Sequence, residues 1–246
     1  MFRSGSKLNR GYNHLVDQLV FEEVEVVEHG YDRKKLEEEF DNLPEASPIA
    51  DIDPFKGDII ATVGAIALDY LDLCGEDVLL DIGTGRGRWA VAAGAHCKKV
   101  IGIDISRRMI EDARLNAESS GVANVEFYRG SFEDPSEEVD LKTKGINKVI
   151  AIYSLHHLTD PMKSEALTKL VSLIQRPGVI VIGDIMWFDN PNNHRDEWSE
   201  VYYDDNETDH PASIDFIREV FEKVGADEIE IVQVHPLVGL ICARFL

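Results

Sequence analysis

An apolar strand that runs into three glycines at alternate positions and then into a helix, Val78-Leu-Leu-Asp-Ile-Gly-Thr-Gly-Arg-Gly-Arg88, constrains this chain more than any other stretch. Gly83, Gly85 and Gly87 permit sharp bends and let the backbone approach a ligand that any Cβ would repel. A second apolar strand, Val100-Ile-Gly-Ile-Asp-Ile105, carries Asp104 at its C-terminal end, where a carboxylate accepts both hydroxyl protons of a ribose. Together the two pieces predict a pocket for a ligand that contains an adenosine-like group.

The glycine spacing separates two kinds of nucleotide site. A dinucleotide fingerprint, G-x-G-x-x-G, needs a glycine at the position held here by Arg88, and the third glycine comes one residue early, at Gly87. Asp81 stands two residues before the first glycine, at the strand's end. This D-x-G-x-G-x-G arrangement resembles motif I of the class I S-adenosylmethionine-dependent methyltransferases, and Asp104 matches the acidic residue of their second strand. Further on, Tyr153-Ser-Leu-His-His-Leu-Thr-Asp160 is similar to the fourth motif of small-molecule methyltransferases of the ubiquinone and menaquinone biosynthesis type. The resemblance implies an enzyme with S-adenosyl-L-methionine as its methyl-donating cofactor and a small-molecule methyl acceptor as its partner. A nicotinamide-dependent Rossmann oxidoreductase is the competing reading, from the shared βαβ scaffold and Asp104, and a protein that only binds S-adenosylmethionine is the non-catalytic one.

The order of elements predicts an α/β, doubly wound, Rossmann-like sheet. Strands are expected at Val78 to Asp81, Val100 to Asp104, Val125 to Tyr128, Val149 to Tyr153 and Val179 to Asp184, each a short apolar run of the sort buried on both faces of a parallel sheet. Helices are expected at Trp89 to His96, from Ser106 to Ser120 with Gly121 as the stop, at Met162 to Ile174, and from Ser213 to Val224. The last two strands, Glu228 to His235 and Leu237 to Phe245, are joined so briefly that they must be antiparallel. A seven-stranded sheet with an antiparallel last strand is what the methyltransferase resemblance also implies.

Composition bounds the partners. The formal net charge is -21, from 46 acidic and 25 basic residues, which repels phosphate backbones and makes nucleic acid an unlikely partner. Three cysteines far apart, Cys74, Cys97 and Cys242, suggest neither a disulfide framework nor a zinc site, and no metal is expected. No window approaches the ~18 to 20 apolar residues of a membrane span, so no span and a cytoplasmic location are expected.

Residue by residue, the resemblance implies a donor site. The loop from Asp81 through Gly83, Thr84 and Gly85 to Gly87 would hold the methionine moiety, with the Thr84 hydroxyl near its carboxylate. Asp104 would take the ribose hydroxyls and Ile105 would pack on the adenine. Ser131 and Phe132 follow the third strand, where Ser131 or the neighbouring Glu133 would accept the adenine amino group. Tyr153 through His157 would border the meeting place of donor and acceptor, at the switch point where strand order reverses. His156 or His157 is the candidate general base, against a reading in which the pair orders its loop. Neighbouring histidines are expected to point apart. Asp184 either orients the acceptor or caps the loop that follows it.

Two regions outside the common core are expected to select the acceptor. Residues 1–54 form an N-terminal extension, read as a lid or a solvated helix, containing Tyr12, His14, Tyr31 and a helical run from Asp32 to Asp41. Residues 55–246 are the methyltransferase domain, within which 189–210 form an inserted acceptor-side loop. Trp198 and Tyr202, four apart, would share one face of a short helix over the donor's methyl group or anchor the loop to the sheet. Apolar residues of the C-terminal hairpin belong either to a homodimer edge or to the core.

Overall fold

Seven strands of one sheet lie in the order β3-β2-β1-β4-β5-β8-β7. The structure, a computed structural model, describes residues 30–43, 58–205 and 207–246; Tyr12, His14 and the rest of the N-terminal extension outside 30–43 lie beyond them. The strands are β1 (Val78–Ile82), β2 (Lys99–Asp104), β3 (Val125–Arg129), β4 (Lys148–Ile152), β5 (Gly178–Trp187), β7 (Glu228–His235) and β8 (Val238–Phe245). A two-residue strand, β6 (Ala212–Ser213), adds to the end of β5 through Met186 and Trp187. β1 to β5 pair in parallel. β8 runs antiparallel between β5 and β7, with Gly178 facing Phe245 at one end and Ile185 facing Val238 at the other.

Helices cover both faces. On one lie α2 (Ile59–Leu71), α3 (Arg88–Gly94) and α4 (Arg107–Ser119), whose Val63, Ala93 and Ala113 pack with Leu79 and Val100. On the other, α5 (Asp160–Leu173) and α6 (Ile214–Lys223) bring Leu167 and Phe221 against Leu80, Ile180 and Phe245. Alternate side chains of each strand feed opposite layers, so a buried run such as Val78 to Ile82 is apolar almost throughout.

Local chemistry sets the helix starts. Ser106 caps α4 by accepting the Met109 amide at 3.1 Å, and Ser213 caps α6 by accepting the Phe216 amide at 3.2 Å. Asp58 does the same for α2, taking the amides of Ile60 and Ala61 at 2.8 and 3.3 Å. Before the sheet, α1 (Arg33–Asp41) realises the helical run expected there, with Asp32 as its cap. It lies over α4 and is tied down by polar contacts: the Ser106 hydroxyl donates to Asp41 at 2.6 Å, Arg108 donates to the Leu43 carbonyl at 2.8 Å, and Arg129 pairs with Glu37 at 2.7 Å. No helix among the described residues is long and apolar enough to cross a membrane.

Candidate functional site

β1 pairs with β2 on one side and β4 on the other, so the order of the sheet reverses there. Beyond the carboxyl ends of these strands lies a cleft of about 1080 Å³, its open mouth included. Its floor is the glycine loop, Gly83, Thr84 and Gly85. One wall is Asp104, Ile105 and Met109; opposite stand Ile152, Tyr153, Ser154 and His157; Ser131 and Phe132 close the side, and Leu36, Phe40 and Leu43 reach over from α1 and the residues after it. Nine expected residues, Gly83, Thr84, Gly85, Asp104, Ile105, Ser131, Phe132, Tyr153 and His157, therefore meet in one cleft.

The loop is set for a ligand's backbone-close approach. Gly85 has φ +53 and nothing within 4 Å of where a Cβ would stand, so the space ahead of it belongs to the cleft. Its amide donates to Asp104 Oδ2 at 2.8 Å, and the Ser106 amide donates to Oδ1 at 2.9 Å. Each oxygen keeps a further lone pair for a hydroxyl. Burial pushes the Asp104 carboxyl up to about 6, with the Ser106 and Gly85 amides opposing.

Asp81, Gly87 and Asp184 take other places, and so does the Thr84 hydroxyl. Asp81 is 1% exposed and sits beneath the loop, where its Oδ2 accepts the Thr84 hydroxyl at 2.6 Å. That bond commits the Thr84 hydroxyl downward, away from the methionine carboxylate it was expected to meet. Burial drives the Asp81 carboxyl up to about 7. Gly87 caps α3 at φ +75, and a Cβ there would stand 2.7 Å from Phe127 and 3.0 Å from Ala113. Its role is tight packing of the helix on the sheet. Asp184 is buried under the turn after β4: Oδ2 accepts the amides of Leu155 and His156 at 2.7 and 3.1 Å, and Oδ1 accepts from Ile185 at 2.8 Å. Its bonds thus hold mainly the turn after β4, not the loop that follows Asp184 as one reading had it.

The chain leaves β4 through Tyr153 at φ +51, and Leu155–His157 form a 3-10 turn. His156 turns inward, Nδ1 against Asp184 Oδ1 at 2.5 Å and Nε2 towards Asp209 Oδ1 at 3.7 Å. Burial opposes its protonation, but the charge and hydrogen bond of Asp184 raise the imidazole above its ordinary range. His157 borders the cleft, with Nδ1 3.1 Å from the Thr208 carbonyl and 3.2 Å from Asp209 Oδ1. The expectation that the two histidines point apart is corrected here: their ring centroids are 4.0 Å apart, because both turn to Asp209. Asp209 was missed in sequence, since only the fold brings it beside the turn. Nδ1 of each ring is taken up by a hydrogen-bond partner, and we read the buried part of the cluster, His156 with Asp184 and Asp209, as an ion-pair network.

Trp198 and Tyr202 are not among the cleft-lining residues. Pro191–Val201 form a 3-10 segment kinked at His194, so four-residue spacing does not put the two rings on one helical face. The Trp198 indole donates to the Pro191 carbonyl at 3.2 Å and its ring packs edge-on to Tyr203 at 4.8 Å. The Tyr202 hydroxyl donates to Asp58 at the start of α2. Ser131 Oγ accepts the Asp134 amide at 3.2 Å, and Glu133 accepts the Tyr31 hydroxyl, which ties this loop to the residues before α1.

A family model described as a methyltransferase domain matches residues 75–225. The chain belongs to that family, in the class I S-adenosylmethionine-dependent group. Among curated relatives, a 23S rRNA (uracil(1939)-C(5))-methyltransferase RlmD of Legionella pneumophila (strain Lens) is 34% identical over 101 residues, 41% of this chain and 21% of that protein. This chain thus spans about a fifth of that relative's length. An uncharacterized methyltransferase of Bacillus pumilus is 28% identical over 178 residues, 68% of this chain and 77% of that protein. Among solved structures, the geranyl diphosphate C-methyltransferase of Streptomyces coelicolor A3(2), with Mg2+, geranyl diphosphate and S-adenosyl-L-homocysteine, superposes with a TM-score of 0.66 at 14% identity, covering 87% of this chain and 98% of that one.

Proposed function

We propose that this chain transfers the methyl group of S-adenosylmethionine to a small-molecule acceptor. The observation that carries the reading is the meeting of the Gly85 amide and the Asp104 carboxylate at the floor of one cleft. The residues fit the donor. Asp104 keeps lone pairs for the ribose hydroxyls, Ile105 and Met109 offer apolar walls to the adenine, and open space before Gly85 admits the methionine end. The sulfonium supplies an electrophilic methyl carbon. The protein's part is to align an acceptor with it and exclude water, which can supply much of the rate.

Three features favour a small acceptor over RNA. The net charge of -21 opposes a polyanion. Leu36 and Phe40 reach over the cleft from α1, which narrows the access a polymer would need. The lining on the acceptor side, Ile60, Phe40, Leu43 and Leu158, is apolar. In this reading the described part of the N-terminal extension, α1, acts as a lid, while 189–210 brace the acceptor side by way of Tyr202 and Asp58. The partial likeness to a ribosomal RNA methyltransferase is confined to 41% of this chain.

The test is transfer of label from methyl-tritiated S-adenosylmethionine into a metabolite extract or into total RNA, offered separately. Label in the small-molecule fraction supports the proposal. Label in RNA alone overturns the acceptor class, and none in either overturns turnover.

A further inference from the structure

His157 ends the turn after β4 and borders two spaces at once: the main cleft, and a side pocket of about 470 Å³ lined by Tyr31, Lys35, Glu207, Thr208 and His210. Its Nδ1 faces two acceptors, the Thr208 carbonyl at 3.1 Å and Asp209 Oδ1 at 3.2 Å. A carbonyl and a carboxylate only accept, so the neutral ring carries its proton on Nδ1 and its lone pair on Nε2. Nε2 makes no hydrogen bond among the described residues, and the ring is steadied by Phe40, edge-on at 5.4 Å.

Asp209 is held for this task from behind. Its side chain is 7% exposed, with His156 Nε2 at 3.7 Å, and His156 is itself gripped by Asp184 at 2.5 Å. Burial opposes ionisation of Asp209, but the hydrogen bond from His157 and the neighbouring imidazoles of His156, His157 and His210 keep its carboxyl below the ordinary range. The strand of chain that carries it is pinned to the turn by the His210 amide, which donates to the His156 carbonyl at 2.7 Å, and by the buried Lys163 ammonium, which donates to the carbonyls of Leu158 and His210.

We propose that His157 is the catalytic base of the methyl transfer and that Asp209 is its positioning residue, which fixes the tautomer; this rests on the methyltransferase reading above. The acceptor class follows. A neutral amine attacks without losing a proton first, whereas a weakly acidic hydroxyl or thiol needs one removed, and an imidazole matches such a group. In the step, the acceptor's O–H or S–H proton passes to His157 Nε2. The freed pair forms the bond to the methyl carbon, the carbon–sulfur bond breaks with its pair left on sulfur as S-adenosylhomocysteine, and the imidazolium gives its Nε2 proton back to solvent after the product leaves.

The experiment is long-range proton–nitrogen NMR of the 15N-labelled full chain, with His157 assigned by His157→Gln, repeated on Asp209→Asn. The proposal predicts a proton on Nδ1 of His157 in the wild type. It also predicts a larger share of the Nε2–H tautomer in Asp209→Asn, where the carboxylate that accepts from Nδ1 is gone. A proton on Nε2 in the wild type, or an unchanged tautomer ratio in a folded Asp209→Asn, overturns it; the wild-type tautomer decides even where the variant does not fold. Calorimetry with S-adenosylhomocysteine on the same samples separates the two readings. Absent binding sinks the methyltransferase reading, while intact binding with the wrong tautomer sinks only the base. With an acceptor in hand, His157→Gln lowers kcat about 100-fold or more with donor affinity unchanged.

Discussion

Asp81 and Asp104 are both buried carboxylates at strand ends, yet they do different work. Asp104 faces the cleft with lone pairs to spare, whereas Asp81 lies below the loop and holds it through Thr84. The burial of Asp81 has a stability consequence whose sign is fixed. Its folded value of about 7 lies above the unfolded 3.8, so the folded state holds the extra proton between those values. Stability falls as pH rises through that window, and the loss is complete above it. Asp81→Asn still accepts from Thr84 but carries no charge. Its thermal midpoint should exceed wild type at pH 8 by roughly 2–4 °C, what ~1 kcal/mol produces at this size, and by less at pH 5. Scanning calorimetry checks this, and equal differences at both values would contradict it. The motif was legible as a pattern, but that Asp81 lies below the loop while Asp104 lines the cleft was not. Asp81 and Gly87 sit inside the packed layers, and packing is not encoded in a local spacing.

At the scale of elements, the parallel strands were legible because burial on both faces leaves an apolar run with few readings. α2 was not read, because Ile60, Ala61, Val63, Gly64, Ala67 and Leu71 are all buried and no polar face marks a helical period. The insertion at 189–210 was legible as aromatic but not as a brace, since the kink at His194 breaks the period assumed for it. Trp198 should accordingly behave as an anchor. Trp198→Ala is expected to cost about 2 kcal/mol, less than a fully buried Trp, in urea unfolding, with S-adenosylhomocysteine affinity within about twofold of wild type. A tenfold loss of that affinity would instead return Trp198 to the ligand. α1 offers a second case, as polar bonds rather than a large apolar face hold it over the cleft: Leu36 is its one buried residue. Asp41→Ala removes the acceptor for Ser106 and Arg108. Amides of 33–41 should then exchange about fivefold faster, the factor that ~1 kcal/mol gives, with α2 unchanged. Exchange that does not change would show that α1 is held by packing.

For the whole molecule, the sheet brings to one end of the strands a glycine loop, an acidic strand end and a histidine turn that lie up to about seventy residues apart in sequence. The reversed β8 closes this sheet from inside: Leu237, Val238, Leu240 and Phe245 are fully buried within the chain, so of the two readings of the hairpin the core is where they belong. The donor site is first a binding site, and binding tests it before any acceptor is known. Calorimetric titration with S-adenosylmethionine and S-adenosylhomocysteine, beside Asp104→Ala and with NAD as control, is that measurement. Micromolar donor binding that weakens at least tenfold in Asp104→Ala is expected, and no binding of NAD. Binding of NAD in its place, or donor binding indifferent to Asp104, would contradict it.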